Sequence, residues 1–422
     1  MLLFVMTAAL SDYAWTTAPM IGGGGRDSVD ALLQRGQQLY SDGEYSRVIK
    51  TFLNTGLDTT EARASLLLGM SYSAINDFEN ASRFLKRACR MDSSNISYRY
   101  QLALFSAQNG LIEDARQEYE HIVALDSSYL PALSRLAIMY HDQKLYDQSR
   151  FFLNSILGKN PRDFLAHYYL GTISVAQNHQ DSAIVSLRNC LQLNGGFVPA
   201  IDVLASLYYS QKDYANALQL YQRALELRPT SADFHYKVGL CLRQQKEYER
   251  AIPSFKKAVS IDTTNAVYFA QLGYCYYFTT RCDSSVFYDL KAISFDPENL
   301  PYYVNLALAY QKLDSMEKTV GVYKKMIEIR RPDEVAYLYF QIGSEYFSKR
   351  RNAEAIEAYK KALTIRPSYL PALFYLGTCY QDLQNIPAAR RTYEEWLHVT
   401  ESDSTENAMK GLVKYRLKSL KK

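Results

Sequence analysis

The sequence predicts an all-α fold built from repeated helix pairs, and three regularities of residue spacing lead to this prediction. A glycine or alanine recurs at spacings of 33 to 36 residues, a second small residue usually follows it by twelve positions, and a tyrosine often follows it by three. The first series consists of Gly36, Gly69, Ala103, Ala137, Gly171, Ala205, Gly239, Gly273, Ala307, Gly343, Gly377 and Gly411. Because a fixed period of this length marks stacked structural units, we expect a solenoid rather than separate globular domains.

Each regularity has a physical reason in a helix pair. Two helices that cross closely need a residue without a bulky side chain where their backbones approach, and the two small-residue series supply it. Leucine and tyrosine at a 3.6-residue period fill the space between the helices. Proline cannot continue a helix interior, and it ends several units, at Pro161, Pro229, Pro297 and Pro367. The predicted units begin near residues 29, 62, 96, 130, 164, 198, 232, 266, 300, 336 and 370.

The segment Leu376-Gly377-Thr378-Cys379-Tyr380, followed by Ala389 and Tyr393, resembles the tetratricopeptide-repeat family. The resemblance covers about residues 29 to 422, although the tryptophan of the family pattern is missing throughout and Val48 replaces one alanine. It implies a right-handed superhelical solenoid of about eleven helix–turn–helix units. A two-residue insertion around Arg330–Asp333 breaks the 34-residue phase, and we expect altered twist or a looser junction there.

Three segments follow along the chain: residues 1–28 as a leader or signal-like segment with a glycine linker, residues 29–403 as the repeat array, and residues 404–422 as a capping helix. In the predicted helix Thr405–Leu420, an apolar stripe should cover the last repeat, while the basic residues face outward. The stripe is Met409, Leu412, Val413, Leu417 and Leu420, and the basic residues are Lys410, Lys414, Arg416 and Lys418. A basic helix on a membrane surface is the alternative, but the register of Gly411 with the small-residue series favours capping.

The apolar start Met1–Leu10 resembles the hydrophobic part of a secretory signal, but the positively charged beginning is absent. We favour export, periplasmic or secreted, over a cytoplasmic location, and a disordered leader is the alternative. Whether this stretch is a truncated signal peptide stays open. It is too short to span a bilayer, and no other uncharged run of sufficient length occurs, so no integral membrane segment is expected.

The composition argues against nucleic-acid binding and against metal or cofactor chemistry. The net charge is +4 over 422 residues, and the six cysteines lack metal-site spacing. No nucleophile, phosphate-loop or metalloprotease motif is present. His167 and His235 occupy the same repeat position, which indicates packing rather than catalysis. We therefore expect no enzyme activity, no catalytic residue, no metal and no cofactor. Whether Cys275 and Cys282 form a disulfide stays open.

The family resemblance implies that the first helix of each unit lines a concave groove and that five of its positions face a ligand. Aromatic residues dominate those positions here: Tyr100, Tyr168, Tyr209, Tyr236, Tyr274, Tyr277, Phe278, Tyr337, Phe340, Phe347 and Phe374. Aromatic side chains offer large contact areas and few rotors to freeze. The groove should favour an apolar or aromatic segment or helix of another protein, with the densest group at Tyr236, Tyr274, Tyr277 and Phe278. Packing between neighbouring units is the alternative for individual members.

The leading hypothesis is therefore a protein-binding scaffold. Two alternatives stay open: a self-associating structural protein, in which the groove of one copy takes the N-terminal segment of another, and an accessory subunit of an enzyme or of a secretion or assembly complex. The carboxylate clamp of better-known family members has no counterpart at the matching positions. At the positions of the asparagine ladder found in another member, this chain has Asn305 alone.

Overall fold

The structure is a computed structural model that describes residues 26–329, 332–400 and 407–420. Within these residues it contains twenty-three α-helices and no β-strand, so the predicted all-α class is confirmed. The chain divides into two compact units, Met1–Gly195 and Gly196–Lys422. The signal-like segment Met1–Leu10 lies outside the described residues, and the handedness of the superhelix stays a prediction.

The first unit contains ten helices and a short 3₁₀ turn, Leu57–Thr59, after its second helix. The helices are α1 (Arg26–Ser41), α2 (Tyr45–Thr55), α3 (Ala62–Ala74), α4 (Phe78–Met91), α5 (Ile96–Gln108), α6 (Ile112–Leu125), α7 (Leu130–Asp142), α8 (Tyr146–Lys159), α9 (Phe164–Ala176) and α10 (Gln180–Leu193). Each odd-numbered helix packs against the even-numbered helix that follows it, which gives the predicted helix–turn–helix pairs.

The second unit contains thirteen helices. They are α11 (Val198–Ser210), α12 (Tyr214–Leu227), α13 (Ala232–Gln244), α14 (Tyr248–Ile261), α15 (Ala266–Phe278), α16 (Cys282–Phe295), α17 (Leu300–Lys312), α18 (Met316–Ile329), α19 (Pro332–Ser348), α20 (Asn352–Ile365), α21 (Leu370–Asp382), α22 (Ile386–Val399) and α23 (Asn407–Ser419). The two-residue insertion accompanies a longer helix, since α19 has 17 residues where α17 and α21 have 13. Residues 330 and 331 lie outside the described part.

In most pairs, a small residue on the first helix faces a large residue sixteen positions later on the second helix. A Cβ added at Gly343 would lie 2.5 Å from the ring of Tyr359, and one at Gly377 would lie 2.6 Å from the ring of Tyr393. Both tyrosines are fully buried. The same close approach joins Gly36 to Phe52, Gly69 to Leu85, Gly171 to Leu187 and Gly239 to Phe255. Interiors packed this tightly leave no room for an extra methyl group, which explains why the series stays small.

Replacing Gly343 with alanine is therefore expected to lower the free energy of unfolding by about 1–3 kcal/mol, because the ring of Tyr359 must shift. Gly321 in α18 is the matched control, since a Cβ there would meet nothing within 4 Å. Gly321→Ala should instead stabilise the protein by up to about 1 kcal/mol through helix propensity. Urea denaturation of both variants measures the two changes, and equal effects would contradict the close-approach argument.

The turn inside every helix pair places one residue in the left-handed region. These residues are Gly43, Asn76, Gly110, Lys144, Asn178, Lys212, Lys246, Thr280, Asp314, Arg350 and Gln384, with φ between 54° and 77°. The N–H of the next residue donates to the carbonyl five positions before it, as in Arg281 to Tyr276 at 2.9 Å and Asn385 to Tyr380 at 2.8 Å. These hydrogen bonds satisfy carbonyls at the end of the first helix, so each pair turns in the same way.

Helix α23 covers the last repeat, as the apolar stripe predicts. Val413 and Leu420 are buried in one cluster with Leu373, Tyr393 and Trp396. Two details of the prediction are wrong. Leu412 is exposed, because the face of α23 that meets α22 is narrower than the stripe.

Arg416 does not face outward. Its Nη1 donates to Thr378 Oγ1 at 2.9 Å and to Tyr393 Oη at 3.1 Å, and its guanidinium lies 5.0 Å from the centroid of the Phe374 ring. The long side chain therefore reaches back from α23 to α21. Buried hydroxyl groups and an aromatic face together give it a better position than solvent.

One helix pair departs from the small-over-large rule. The residue that faces Gly273 is Asp289, and a Cβ on Gly273 would lie 2.3 Å from its Oδ1. Asp289 is fully buried; Ser285 Oγ donates to its Oδ2 at 3.1 Å, and its Oδ1 has no hydrogen-bond partner. Burial raises the pKa of the Asp289 carboxyl to about 7, since the single hydrogen bond from Ser285 offsets little of the desolvation.

Asp289 should make stability depend on pH with a defined sign. Its folded-state pKa of about 7 lies above the ordinary value of 3.8, so the folded state binds more protons between these values. The destabilising effect is absent below pH 3.8, grows through this window and reaches about 4 kcal/mol above pH 7. Asp289→Leu, which copies the Gly69–Leu85 pair, should therefore stabilise the protein at pH 8 and much less at pH 4.5.

Chemical denaturation of the wild-type protein and Asp289→Leu at several pH values tests this dependence. Asp289→Asn keeps the volume of the side chain and removes its titration, so this control should lose the pH dependence while keeping any packing defect. A wild-type-to-Leu difference that is the same at pH 4.5 and pH 8 would contradict the assignment.

Candidate protein-binding site

We call the eleven residues predicted to face the groove the first-helix aromatics. Tyr100 and Tyr168 lie in the first unit, and the other nine lie in the second. None of them is fully buried: Phe278 is 43% exposed, Tyr337 is 51% exposed, and the others are half-buried. The members differ in the rings that they contact.

Three of the first-helix aromatics, Tyr274, Tyr277 and Phe278, lie in ring contact at the end of α15. The ring centroids of Tyr274 and Phe278 are 4.7 Å apart, and those of Tyr277 and Phe278 are 5.2 Å apart. Tyr248, at the start of α14, stacks on Phe278 at 4.7 Å and meets Tyr274 edge-on at 6.2 Å. We call Tyr248, Tyr274, Tyr277 and Phe278 the aromatic patch. Sequence reasoning missed Tyr248 because it begins a second helix, although Tyr146 and Tyr214 begin the second helices α8 and α12 in the same way.

Tyr236 is not in ring contact with the patch. Its ring lies 4.9 Å from Tyr268 and 6.0 Å from Phe255, so it packs between α14 and α15. Phe340 has similar neighbours, with Tyr359, Tyr369 and Tyr375 around it. Packing between neighbouring helices, the alternative to ligand binding, therefore fits Tyr236 and Phe340 better than it fits the aromatic patch.

The remaining first-helix aromatics form smaller contacts. Tyr100 meets Tyr119 and Tyr129 edge-on, and Tyr168 meets Tyr169. Tyr209 accepts a hydrogen bond from Gln244 Nε2 at 3.0 Å. Phe347 and Phe374 both contact Tyr375, and Arg416 of α23 covers Phe374. Tyr337, the most exposed member, has no ring contact with any residue that the structure describes.

Two cations border the aromatic patch. The guanidinium carbon of Arg243 lies 5.2 Å from the centroid of the Tyr274 ring, and its buried Nε has no hydrogen-bond partner. Lys312 Nζ lies 4.7 Å from the centroid of the Tyr277 ring and donates to the Tyr277 carbonyl at 3.1 Å. A cation–π contact attracts the cation to the ring face. Because the ring has no net charge, the charge of the cation is not neutralised.

The groups that suggested catalysis by residue type have structural roles. His167 Nε2 lies 3.2 Å from the carbonyl of Pro161, and His235 Nε2 lies 3.0 Å from that of Pro229. All six cysteines are buried and free, so Cys275 and Cys282 do not form a disulfide in this structure. Burial raises the pKa of the Cys275 thiol to about 12, which keeps it protonated and unreactive.

A cleft of about 360 Å³ is lined by residues of α18, α19 and α20. Its lining includes Lys324, Tyr339, Tyr346, Glu354, Glu357 and Lys361. The Arg351 guanidinium lowers the pKa of the Glu354 carboxyl, and Lys360 pairs with Glu357 at 3.6 Å. Glu354 and Glu357 thus take part in surface ion pairs.

Among residues 26–329, 332–400 and 407–420, no group of three or more metal-ligating side chains comes together. None of the helices in that same part of the chain is long and apolar enough to cross a membrane.

The helix pairs repeat about every 34 residues, and within a compact unit each pair packs on the next. This arrangement defines an α-helical repeat protein of the solenoid type. Sequence profiles of the tetratricopeptide repeat match residues 62–95, 203–266, 336–369 and 371–395. The chain is a tetratricopeptide-repeat protein, and this repeat fold supports a role in protein–protein interaction. Proteins of the family are typically non-catalytic scaffolds.

Similar proteins cover parts of the chain. Human protein O-mannosyl-transferase TMTC1 is 25% identical over 205 residues, which are 48% of this chain and 23% of that protein. The TPR repeat-containing protein YpiA of Bacillus subtilis is 22% identical over 191 residues, which are 44% of this chain and 45% of that protein. The chain thus spans less than half the length of these two relatives.

Among solved structures, the C-terminal part of a TPR repeat-containing protein from Cytophaga hutchinsonii aligns with a TM-score of 0.50 at 19% identity. The alignment covers 57% of this chain and 97% of that one. At this level of identity the likeness concerns the fold.

Thermal melting distinguishes a surface role of the aromatic patch from a core role. Tyr276 is the internal control, because it is only 5% exposed and its ring stacks on Tyr288 with centroids 5.4 Å apart. Tyr276→Ala should lower the free energy of unfolding by about 3–5 kcal/mol. Replacing Tyr274, Tyr277 and Phe278 together with alanine should lower it by less than that single change. A larger loss for the triple variant would mean that the patch belongs to the core.

Proposed function

We propose that this protein is a non-enzymatic scaffold that binds an apolar or aromatic peptide segment or helix of another protein along its first helices. The observation that supports the proposal is the aromatic patch, where four rings contact one another while remaining partly accessible. Clustered, partly exposed aromatic rings are the side chains that most often dominate the energy of protein interfaces.

The first-helix aromatics would give such a partner an extended row of contacts. Tyr209, Tyr337 and Phe347 lie on other first helices of the same unit and remain partly accessible. A bound segment would gain affinity from ring surface removed from water, and hydroxyl groups of the tyrosines would supply hydrogen bonds. No cofactor or metal takes part in this binding, and no catalytic residue is proposed.

Affinity capture with the purified full chain tests the proposal. Wild-type protein and the triple variant Tyr274→Ala, Tyr277→Ala and Phe278→Ala are compared as baits, and mass spectrometry identifies the proteins that bind. Proteins captured by the wild type should be lost from the triple variant, because the patch supplies the apolar contact.

A double variant of α16, Phe287→Ala and Leu290→Ala, is the matched control. These side chains are 55% and 47% exposed on the second helix of the same pair, so the variant removes comparable apolar surface outside the patch. It should capture the same proteins as the wild type. Equal loss in both variants would point to non-specific hydrophobic binding and contradict the proposal.

Self-association is the alternative from another class. If the N-terminal segment of one copy occupies the patch of another, light scattering should detect oligomers of the full chain and monomers of a chain that begins at residue 29. A role as an accessory subunit of an enzyme or of a secretion or assembly complex would appear in the capture experiment as a stable set of co-purifying subunits.

A further inference from the structure

The charge around the aromatic patch carries an inference about the chemistry of the partner, which rests on the proposed function. Arg243 and Lys312 lie at two sides of the patch, above Tyr274 and Tyr277 respectively. Neither of these cations forms an ion pair with any residue that the structure describes.

The carboxylates near the patch already have partners of their own. Glu249 pairs with Arg281, and Glu247 pairs with Arg250. Further along the first helices of the second unit, Asp202 and Asp233 both pair with Lys237, at 2.7 and 2.8 Å. Lys237 is thus neutralised by two carboxylates of the chain itself, whereas Arg243 and Lys312 have no such carboxylate beside them.

The surroundings of Arg243 make its lack of a counterion costly. The side chain is half-buried, and its Nε–H is shielded from solvent without an acceptor. A guanidinium also presents its two Nη groups side by side, and their N–H donors match the two oxygens of a carboxylate. A carboxylate of a partner would therefore supply the counterion that the fold does not.

We propose that the aromatic patch, with Arg243 and Lys312 beside it, binds a protein segment in which an aspartate or glutamate adjoins an apolar or aromatic side chain. The apolar side chain packs on the rings of Phe278 and Tyr248, and the carboxylate pairs with Arg243 or with Lys312, which lie beside different rings of the patch. The rings exclude water from the ion pair, which strengthens it relative to one on an open surface.

A library of random 12-residue peptides, selected on the full-length protein, provides the probe. The selected peptides should contain aspartate or glutamate next to an apolar or aromatic residue. Fluorescence anisotropy then measures one selected peptide and the same peptide with its carboxylates replaced by amides. The amide form is expected to bind at least about tenfold more weakly.

Protein variants locate the effect. The double variant Arg243→Met and Lys312→Met keeps the aliphatic contact with the rings and removes both charges, so it should weaken the acidic peptide about tenfold and leave the amide peptide nearly unchanged. Lys257→Met is the matched control, because Lys257 is an exposed cation on α14, and it should change neither peptide. Thermal melting of each variant confirms that it is folded.

The outcomes separate this proposal from the proposed function. If peptides bind, are lost in the triple alanine variant and are unaffected by the loss of both charges, the groove function holds and the acidic partner is wrong. If the selected peptides carry no excess of acidic residues, the acidic partner is wrong as well. If no peptide is enriched on the wild type, peptide binding at the patch is contradicted and both proposals fail.

Discussion

The fold depends on one recurring contact, in which a glycine or alanine of the first helix lies against a large side chain sixteen residues later in the second. The distance between the two backbones is set by what fits between them, and at Gly343 and Gly377 a tyrosine ring occupies all of the space. Since most pairs use the same contact, these pairs have nearly the same geometry. The faces of the first helices, and the aromatic side chains on them, are positioned by this spacing.

Most of the fold could be predicted from the sequence because the small-residue series fixes the phase of each unit. Nine first helices begin where the phase of the series places them, namely the eight odd-numbered helices from α3 to α17 and helix α21. Helix α19 is an exception with a local cause. It begins four residues before its predicted start, because part of the connection that contains the two-residue insertion is helical.

The candidate site was less predictable, because helical periodicity gives the face of a residue but not the neighbours that reach it. Tyr248 joins the patch from a second helix, whereas Tyr236 packs against Phe255 and Tyr268. Arg416 turns back from the capping helix to Phe374, although its position outside the apolar stripe indicated solvent. The burial of Asp289 opposite Gly273 was also missed, since only the pairing of the two helices reveals which residues meet.

The turns within the helix pairs have a consequence for how this protein can change in evolution. Nine of these turns hold a residue other than glycine in the left-handed region, among them the β-branched Thr280. Apart from the asparagines and the aspartate among them, such residues store conformational strain of about 1 kcal/mol each, which a glycine would release. They belong neither to the interior contact nor to the aromatic patch. Substitutions at the turns can therefore change the stability of the protein without changing the aromatic patch. Selection for thermal stability and selection for a binding partner can then act on different residues.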